Sequence, residues 1–303
     1  MTRDERIKNL SVPKGVVDVV LDTDAFNEID DQYAISYLLR SGDKLNTKAI
    51  YAAPYTKPSM TDVALGMQNS YEEIFRVLER LGESRPVFRG STAYLPDEKT
   101  PVVSDAARDL AKRVEDYSPE HPLYVVAIGA ITNIASAILL NPKVSENAVV
   151  VWLGGHALHY HDNHEFNAYQ DVAAMRVVFG SGVPLVQLPC NGVVSSFTLS
   201  RPDLEAWLVG KSPIADYLAK ITIEEIARRG WGDIWAKPIW DVTAVAWLLN
   251  DGERFMLSRV QKTPIPTYEH TYTDNPNGVE MSYVYHINKN ALLKDLIEKL
   301  TKM

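Results

Sequence analysis

The sequence predicts an open, mainly parallel α/β sheet, doubly wound with helices on both faces. Short β-branched runs recur along the chain and read as strands buried on both sides, while the segments between them carry apolar residues at helical spacing. No internal repeat, low-complexity tract or linker interrupts the pattern, so residues 1–303 are expected to form one domain. A chain of 303 residues that is 46% hydrophobic and 23% charged can bury a core of that size.

The elements follow in order. The run "VVDVVLDTD" from Val16 is the first strand, and Ile29 to Ser41 the helix after it. "TKAIYAAP" is the second strand, with helices over Thr61 to Leu81 and Ser104 to Val114. "PLYVVAIG" leads into a helix from Ile131 to Leu140, and "NAVVVWLGG" and "VPLVQLPC" are the next two strands. Helices continue through "DLEAWLVG", "IADYLAKITIEEIARRG" and "DVTAVAWLLN". Val260 to His286, rich in Thr, Tyr and Pro, reads as strands and loops at an edge, and "NKNALLKDLIEKLTKM" as an amphipathic closing helix.

Composition narrows the function. With 31 Lys plus Arg against 39 Asp plus Glu, a formal charge of -8 gives no general attraction for nucleic acid or an anionic membrane. A small neutral or cationic ligand fits better. The single cysteine, Cys190, cannot form an intrachain disulfide, and no Cys and His spacing resembles a zinc module. "MTRDERIKNL" lacks an apolar signal core and no run is long enough to span a bilayer, so a cytoplasmic protein is expected.

The feature that demands an explanation is acidic. Asp22, Asp24, Glu28, Asp30 and Asp31 crowd the point where the first strand ends and its helix begins, at the sheet edge where doubly wound folds bind ligands. Packed carboxylates repel one another and pay for desolvation, so they take up protons or gather round a cation. An oxygen-only set without Cys or paired His favours Ca²⁺ or Mg²⁺ over zinc, and several carboxylates with a carbonyl suit Ca²⁺. Taken alone, Asp30 and Asp31 can also serve the helix N-terminus, with Asp22 and Asp24 solvated.

Four pieces, in order, carry a family resemblance. Asp22-Thr23-Asp24 followed by Asp30-Asp31 resembles the DTDPGxDD signature of the calcium-dependent nucleoside hydrolases; "AIGAITNIASAI" is similar to their GPLTNIA segment, "HEFNAYQDVAAMRVVF" to AEFNxxxDPEAAxxVF, and "WDVTAVAWLL" to HDPLAVA. Each match is weak alone, but the four in sequence are specific. The resemblance implies an N-ribosyl hydrolase that converts a ribonucleoside or related riboside to free base and ribose. Asp24, Asp31 and Asp241 would supply carboxylates to Ca²⁺, with the main-chain oxygen of Thr132. Asp30, Glu165 and Asn167 would bind ribose hydroxyls, and Asn163 is carried over as a further substrate contact. Asp24 would take the proton of an attacking water made acidic by the metal, and the bond to the base would break through an oxocarbenium-like transition state. Family members assemble as dimers or tetramers, which the resemblance implies for this chain too. Read one at a time, these residues have ordinary alternatives in helix caps and polar loops.

The sequence also departs from the pattern. "AFNEI" puts five residues between Asp24 and Asp30 where the signature has three, resembling a DTDxxNEIDDQ branch, and Asn27 can replace a sugar contact usually drawn from a Gly-Asn after the second strand, where this chain reads "AAPYTKP". Trp240 stands where many members carry the histidine proposed to protonate the leaving base. An indole cannot supply that proton, although it can stack on a base. His156, His159, His161 and His164 crowd the loop "GGHALHYHDNHEFN" as alternative acids, or as a solvated loop; otherwise the leaving group needs no protonation. Cys190 and Asn191 of "LPCNGVV" can line the same pocket, though a lone Cys is more often core. Two rival functions stay open: a haloacid-dehalogenase-like Mg²⁺ phosphatase, since "VVLDTD" also ends a strand in Asp-x-Asp, and a non-catalytic ribosyl-binding protein, for which Trp240 is the motive.

Overall fold

A computed structural model describes residues 1–302. Its centre is an eight-stranded sheet built from β1 (Val17–Thr23), β2 (Leu45–Ala52), β3 (Val87–Arg89), β4 (Leu123–Ala127), β5 (Ala148–Leu153), β6 (Leu185–Leu188), β9 (Met256–Lys262) and β12 (Glu280–Ile287), in the order β3-β2-β1-β4-β5-β6-β12-β9. All neighbours run parallel except β9, which pairs antiparallel with β12 at one edge. Two short pairs lie outside it, β7 (Thr198–Ser200) with β8 (Ala236–Pro238), and β10 (Ile265–Pro266) with β11 (Tyr272–Thr273).

The strands alternate between two cores, as a period of two residues requires. Val19, Leu21, Val126, Val149 and Val151 pack on one face with α2 (Asp30–Leu39), α3 (Val63–Leu81), α10 (Pro213–Arg229), α11 (Val242–Leu248) and α12 (Lys289–Thr301). Val20, Val125, Val150 and Trp152 pack on the other with α4 (Asp105–Arg113), α5 (Thr132–Leu140) and α8 (Val172–Gly180). Helices over both faces explain why these strands are apolar on both sides. Among the described residues no helix is long and apolar enough to cross a membrane.

Most of the expected helices stand within a residue or two of the positions read from the sequence, because their N-caps are local: Asp62 takes the amides of Ala64 and Leu65, and Ser104 that of Ala107. The first helix, α1 (Arg3–Asn9), and the edge strand β3 were not anticipated. The strand order turns at β1 and β4, and the crevice beyond their carboxyl ends is where an open sheet of this kind takes its ligand.

Asn133, in the first turn of α5, ties that edge together. Its Nδ2 donates to Asp22 Oδ1 at 2.7 Å and to the Ala52 carbonyl at 3.2 Å, while its Oδ1 accepts from the Ser91 amide at 2.8 Å. The ends of β1, β2 and the turn after β3 are thus pinned by one buried side chain. Asn133→Ala is expected to lower unfolding stability by about 3 kcal/mol, because it strands several buried partners at once; urea denaturation measures it, and a loss below about 1 kcal/mol contradicts the assignment.

Candidate active site

β1 delivers the first two carboxylates and α2 the next two. Asp22 is wholly buried: one oxygen takes the Asn133 amide and the other has no partner among the described residues. Burial pushes its carboxyl up to about 7, against the pull of Asn133. Asp24 follows in the loop and is nearly as buried; its Oδ2 accepts from Asn27 Nδ2 at 3.1 Å. In that loop Phe26 adopts φ +83°, a left-handed conformation that disfavours a bulky side chain. The inserted residues therefore carry strain into the crevice wall.

Asp30 and Asp31 open α2, where the helix dipole favours negative charge. Asp241 stands directly before α11, and its amide reaches Asp30 Oδ2 at 3.3 Å. An oxygen from each of Asp30, Asp31 and Asp241 lies within 4.8 Å of the others. The Thr23 hydroxyl donates to Asp31. Two residues from α2 and one some 200 positions away meet because α11 packs against α2.

These groups are held far from water, and their acidity records it. Burial first, then Asp31, Asp30 and Asp22, drives Asp24 well above the usual carboxylate range. Burial and Asp30 push Asp31 up to about 8. Asp241 is raised by burial and by Asp30, Asp31 and Asp24. Asp30 is raised by burial, with Lys237 pulling it back. Several buried carboxylates within reach of one another, each destabilised in its ionised form, are the donor set of a hard divalent cation. The residues fit a metal.

Asp24, Asn27, Asp30, Asp31, Glu165, Asn167, Trp240 and Asp241 line one cavity of about 230 Å³. Glu165 caps α7 (Phe166–Gln170), taking the amides of Asn167 and Ala168, and accepts from the Gly155 amide at 2.8 Å. Gly155 can approach so closely because it holds φ +75° and a Cβ there would strike the Tyr272 hydroxyl. Asn167 Nδ2 spends its protons on the Ile128 and Leu153 carbonyls at the ends of β4 and β5. Its Oδ1 is therefore the atom left to accept from a ligand.

Two of the residues named from the sequence sit back from the cavity. Thr132 is wholly buried at the start of α5 and its hydroxyl donates to Asp171 at 2.7 Å; Ile128 lines the cavity on that side. Asn163 accepts from the His156 amide at 2.7 Å and supports the wall without lining it. The remaining wall consists of Leu153, His156, His164, Phe166, Cys190 and Asn191. His164 packs against His270, the ring centres 4.4 Å apart and the planes tilted by 39°, whereas His159 and His161 do not line the cavity.

Sequence reasoning missed Lys237. It is fully buried, its ammonium 2.6 Å from Glu28 and 4.0 Å from the centre of the Trp240 ring, and Arg229 reaches the other Glu28 oxygen at 2.8 Å. Burial works to raise Glu28, but Lys237 and Arg229 outweigh it and hold the carboxyl low. The inserted "AFNEI" loop is thus anchored by its own Glu28 to α10 and to the Trp240 segment. A signal existed in "AKPIWD": a Lys three residues before the aromatic, opposite a surplus acid in the insertion.

The model of the inosine-uridine preferring nucleoside hydrolases matches residues 19–294. The chain belongs to that family. Curated relatives include the pyrimidine-specific ribonucleoside hydrolase RihA of Salmonella paratyphi A, 28% identical over 156 residues. That alignment takes 50% of this chain and 49% of RihA, so the chain matches about half the length of these relatives. Among solved structures, a plant nucleoside hydrolase superposes with TM-score 0.77 at 19% identity, covering 95% of this chain and 99% of its own. A purine-preferring ribonucleoside hydrolase from Gardnerella vaginalis gives 0.75 at 17% identity, covering 94% and 98%. These establish a nucleoside hydrolase fold, and membership of the family displaces the phosphatase alternative.

Proposed function

We propose that this nucleoside hydrolase family member cleaves the N-glycosidic bond of a ribonucleoside or related riboside with water, releasing free base and ribose, and that its metal is Ca²⁺. The observation that carries the reading is the buried carboxylate group facing Glu165 and Asn167 across one cavity. Asp24, Asp31 and Asp241 would hold the ion, with Asp30 beside them; the carbonyl of Thr132 stays in the set on the family resemblance alone. When bound, the ion neutralises these carboxylates and makes a neighbouring water more acidic. Oxygen-only donors and flexible coordination favour Ca²⁺ over a stricter octahedral cation.

The chain's own groups do the rest. Asp24, oriented by Asn27, takes the proton of the attacking water. The water oxygen bonds to the anomeric carbon as the bond to the base breaks, and the base leaves with the electron pair. Asp30, Glu165 and Asn167 Oδ1 accept from ribose hydroxyls, and their negative character stabilises the oxocarbenium-like transition state. Trp240 offers an aromatic face to the leaving group. Residues 1–303 act as one unit in this reading, since β1 and β12 share the sheet. A small-molecule substrate, a homodimer or homotetramer and a cytoplasmic setting complete the proposal.

The test is a reducing-sugar release screen over a purine and pyrimidine ribonucleoside panel with CaCl₂, beside the matching 2′-deoxyribonucleosides. Ribonucleosides are expected to turn over and deoxyribonucleosides to be slower by about 100-fold or more, as loss of a transition-state hydrogen bond to a buried charge implies. Binding by calorimetry without sugar release identifies the ribosyl-binding alternative that Trp240 favours, and equal rates on both sugars remove the contact assigned to Asp30.

A further inference from the structure

Trp240, which meets the base in the reading above, has no proton to give it. Its indole N–H donates to Ser195 Oγ at 2.9 Å, which ties down one edge of the ring. What can act on a departing base is the aromatic face. Lys237, on β8, lies over that ring with its ammonium 4.0 Å from the ring centre. The lysine is wholly buried and does not line the cavity, whereas Trp240 does, so the indole stands between the ammonium and whatever the cavity holds. Two of the three ammonium protons go to Glu28 Oε2 at 2.6 Å and to the Pro238 carbonyl at 3.1 Å. The third is left for the ring.

Glu28 alone does not explain why a lysine is buried here. Arg229 already reaches its other oxygen at 2.8 Å, and an ammonium is costly to bury where an apolar side chain of similar length would pack. The ion pair has a direction, however. Glu28 lines the cavity from the loop that also carries Asp24, Asn27 and Asp30, so the negative end faces the sugar side and the positive end lies behind Trp240. Bond cleavage separates charge in the same sense, since the ribose turns positive as the base turns negative. Among the described residues no lysine or arginine lines the cavity. The charge on the base is met from behind the wall.

We propose that Lys237 stabilises the leaving group through Trp240: the ammonium draws the indole π electrons toward its own face and leaves the opposite face electron-poor, where the departing base gathers negative charge. The inference rests on the hydrolase reading above. Both electrons of the N-glycosidic bond go to the base, the proton of the attacking water goes to Asp24, and the base takes its proton from solvent after release. Lys237 keeps its own protons throughout. It is a positioning residue that never touches the substrate, and the substrates that depend on it are ribosides with poor leaving groups, whose bases form strongly basic anions.

Sugar release is measured for the Ca²⁺-loaded parent, Lys237→Met, Lys237→Arg, Trp240→Leu and the double variant Lys237→Met with Trp240→Leu. The substrates are ribonucleosides whose bases differ in acidity and 4-nitrophenyl β-ribofuranoside, whose leaving group departs unaided. Lys237→Met is expected to lower kcat about 30-fold on the ribonucleoside with the most basic leaving group and less than about 3-fold on the nitrophenyl riboside, so log kcat falls more steeply with leaving-group pKa. Lys237→Arg, which keeps the charge, recovers about 10-fold of that loss. Trp240→Leu shows the same selectivity with Lys237 still paired to Glu28, and so reads the proposal even if the methionine variant misfolds. The double variant loses less than the product of the two single losses, because the residues act as a unit. Equal losses on every substrate, no loss on the ribonucleosides, or fully multiplicative losses in the double variant overturn the proposal alone. A parent that releases ribose from no substrate overturns the hydrolase reading itself, and the proposal with it.

Discussion

Asp24→Asn is expected to lower kcat by at least about 10³-fold while leaving the fold intact, since an amide cannot accept the proton of the attacking water. The same substitution is expected to raise the melting temperature of the chelated protein. Both effects have one cause. Without a cation Asp24 is driven well above its ordinary range by burial and by Asp31, Asp30 and Asp22, so its ionised form is what the fold resists. The asparagine resembles the protonated carboxyl: comfortable among buried acids and chemically inert. Steady-state sugar release with CaCl₂ and a thermal melt in EGTA check the two halves. Activity within 10-fold of the parent would remove Asp24 as the base, and a lower melting point in EGTA would contradict the repulsion on which the metal argument stands.

Much of this site was legible because its signals are local. β1 and α2 adjoin in sequence, so the five acids around their junction declare a charge conflict within one short stretch of chain. The strands were equally plain, since parallel strands covered on both faces need continuous β-branched runs. What escaped depends on distant pairing. β3 is three residues long and takes its identity from β2 beside it, not from its own pattern. β12 enters between β6 and β9 because of packing that no local periodicity encodes. Glu28 meets Lys237 across 209 residues, and the Trp240 indole reaches Ser195 across 45. The crowded histidine loop was visible in sequence, but not which of its members face the cavity: His156 and His164 line it, and His159 and His161 do not.

Removing the metal is expected to abolish turnover and to make stability fall as pH rises. Each acid whose carboxyl is raised in the folded protein contributes stability that is fully present below its unfolded value, near 4, and is lost as pH climbs through the folded value. With Asp22 at about 7 and Asp31 at about 8, the loss runs from about pH 4 to beyond pH 8. Asp22 alone, moved from near 4 to about 7, accounts for on the order of 4 kcal/mol across that window. A bound divalent cation reverses the sign, because it favours the ionised carboxylates, so the stabilisation by CaCl₂ must widen as pH increases. At a concentration 100 times the dissociation constant it contributes about 2.7 kcal/mol, or roughly 4 °C in melting temperature for a chain of this size. Melts in EGTA and in CaCl₂ at pH 5, 6.5 and 8 measure the gap, and Asp31→Asn isolates the site from ion pairs elsewhere on the surface: it should flatten the pH dependence in EGTA and shrink the response to CaCl₂ together. A gap that stays constant with pH, or a chelated protein more stable at pH 8 than at pH 5, would mean that these carboxylates meet their charge by some means other than a cation, and the water-activating role of Asp24 would lose its electrostatic basis.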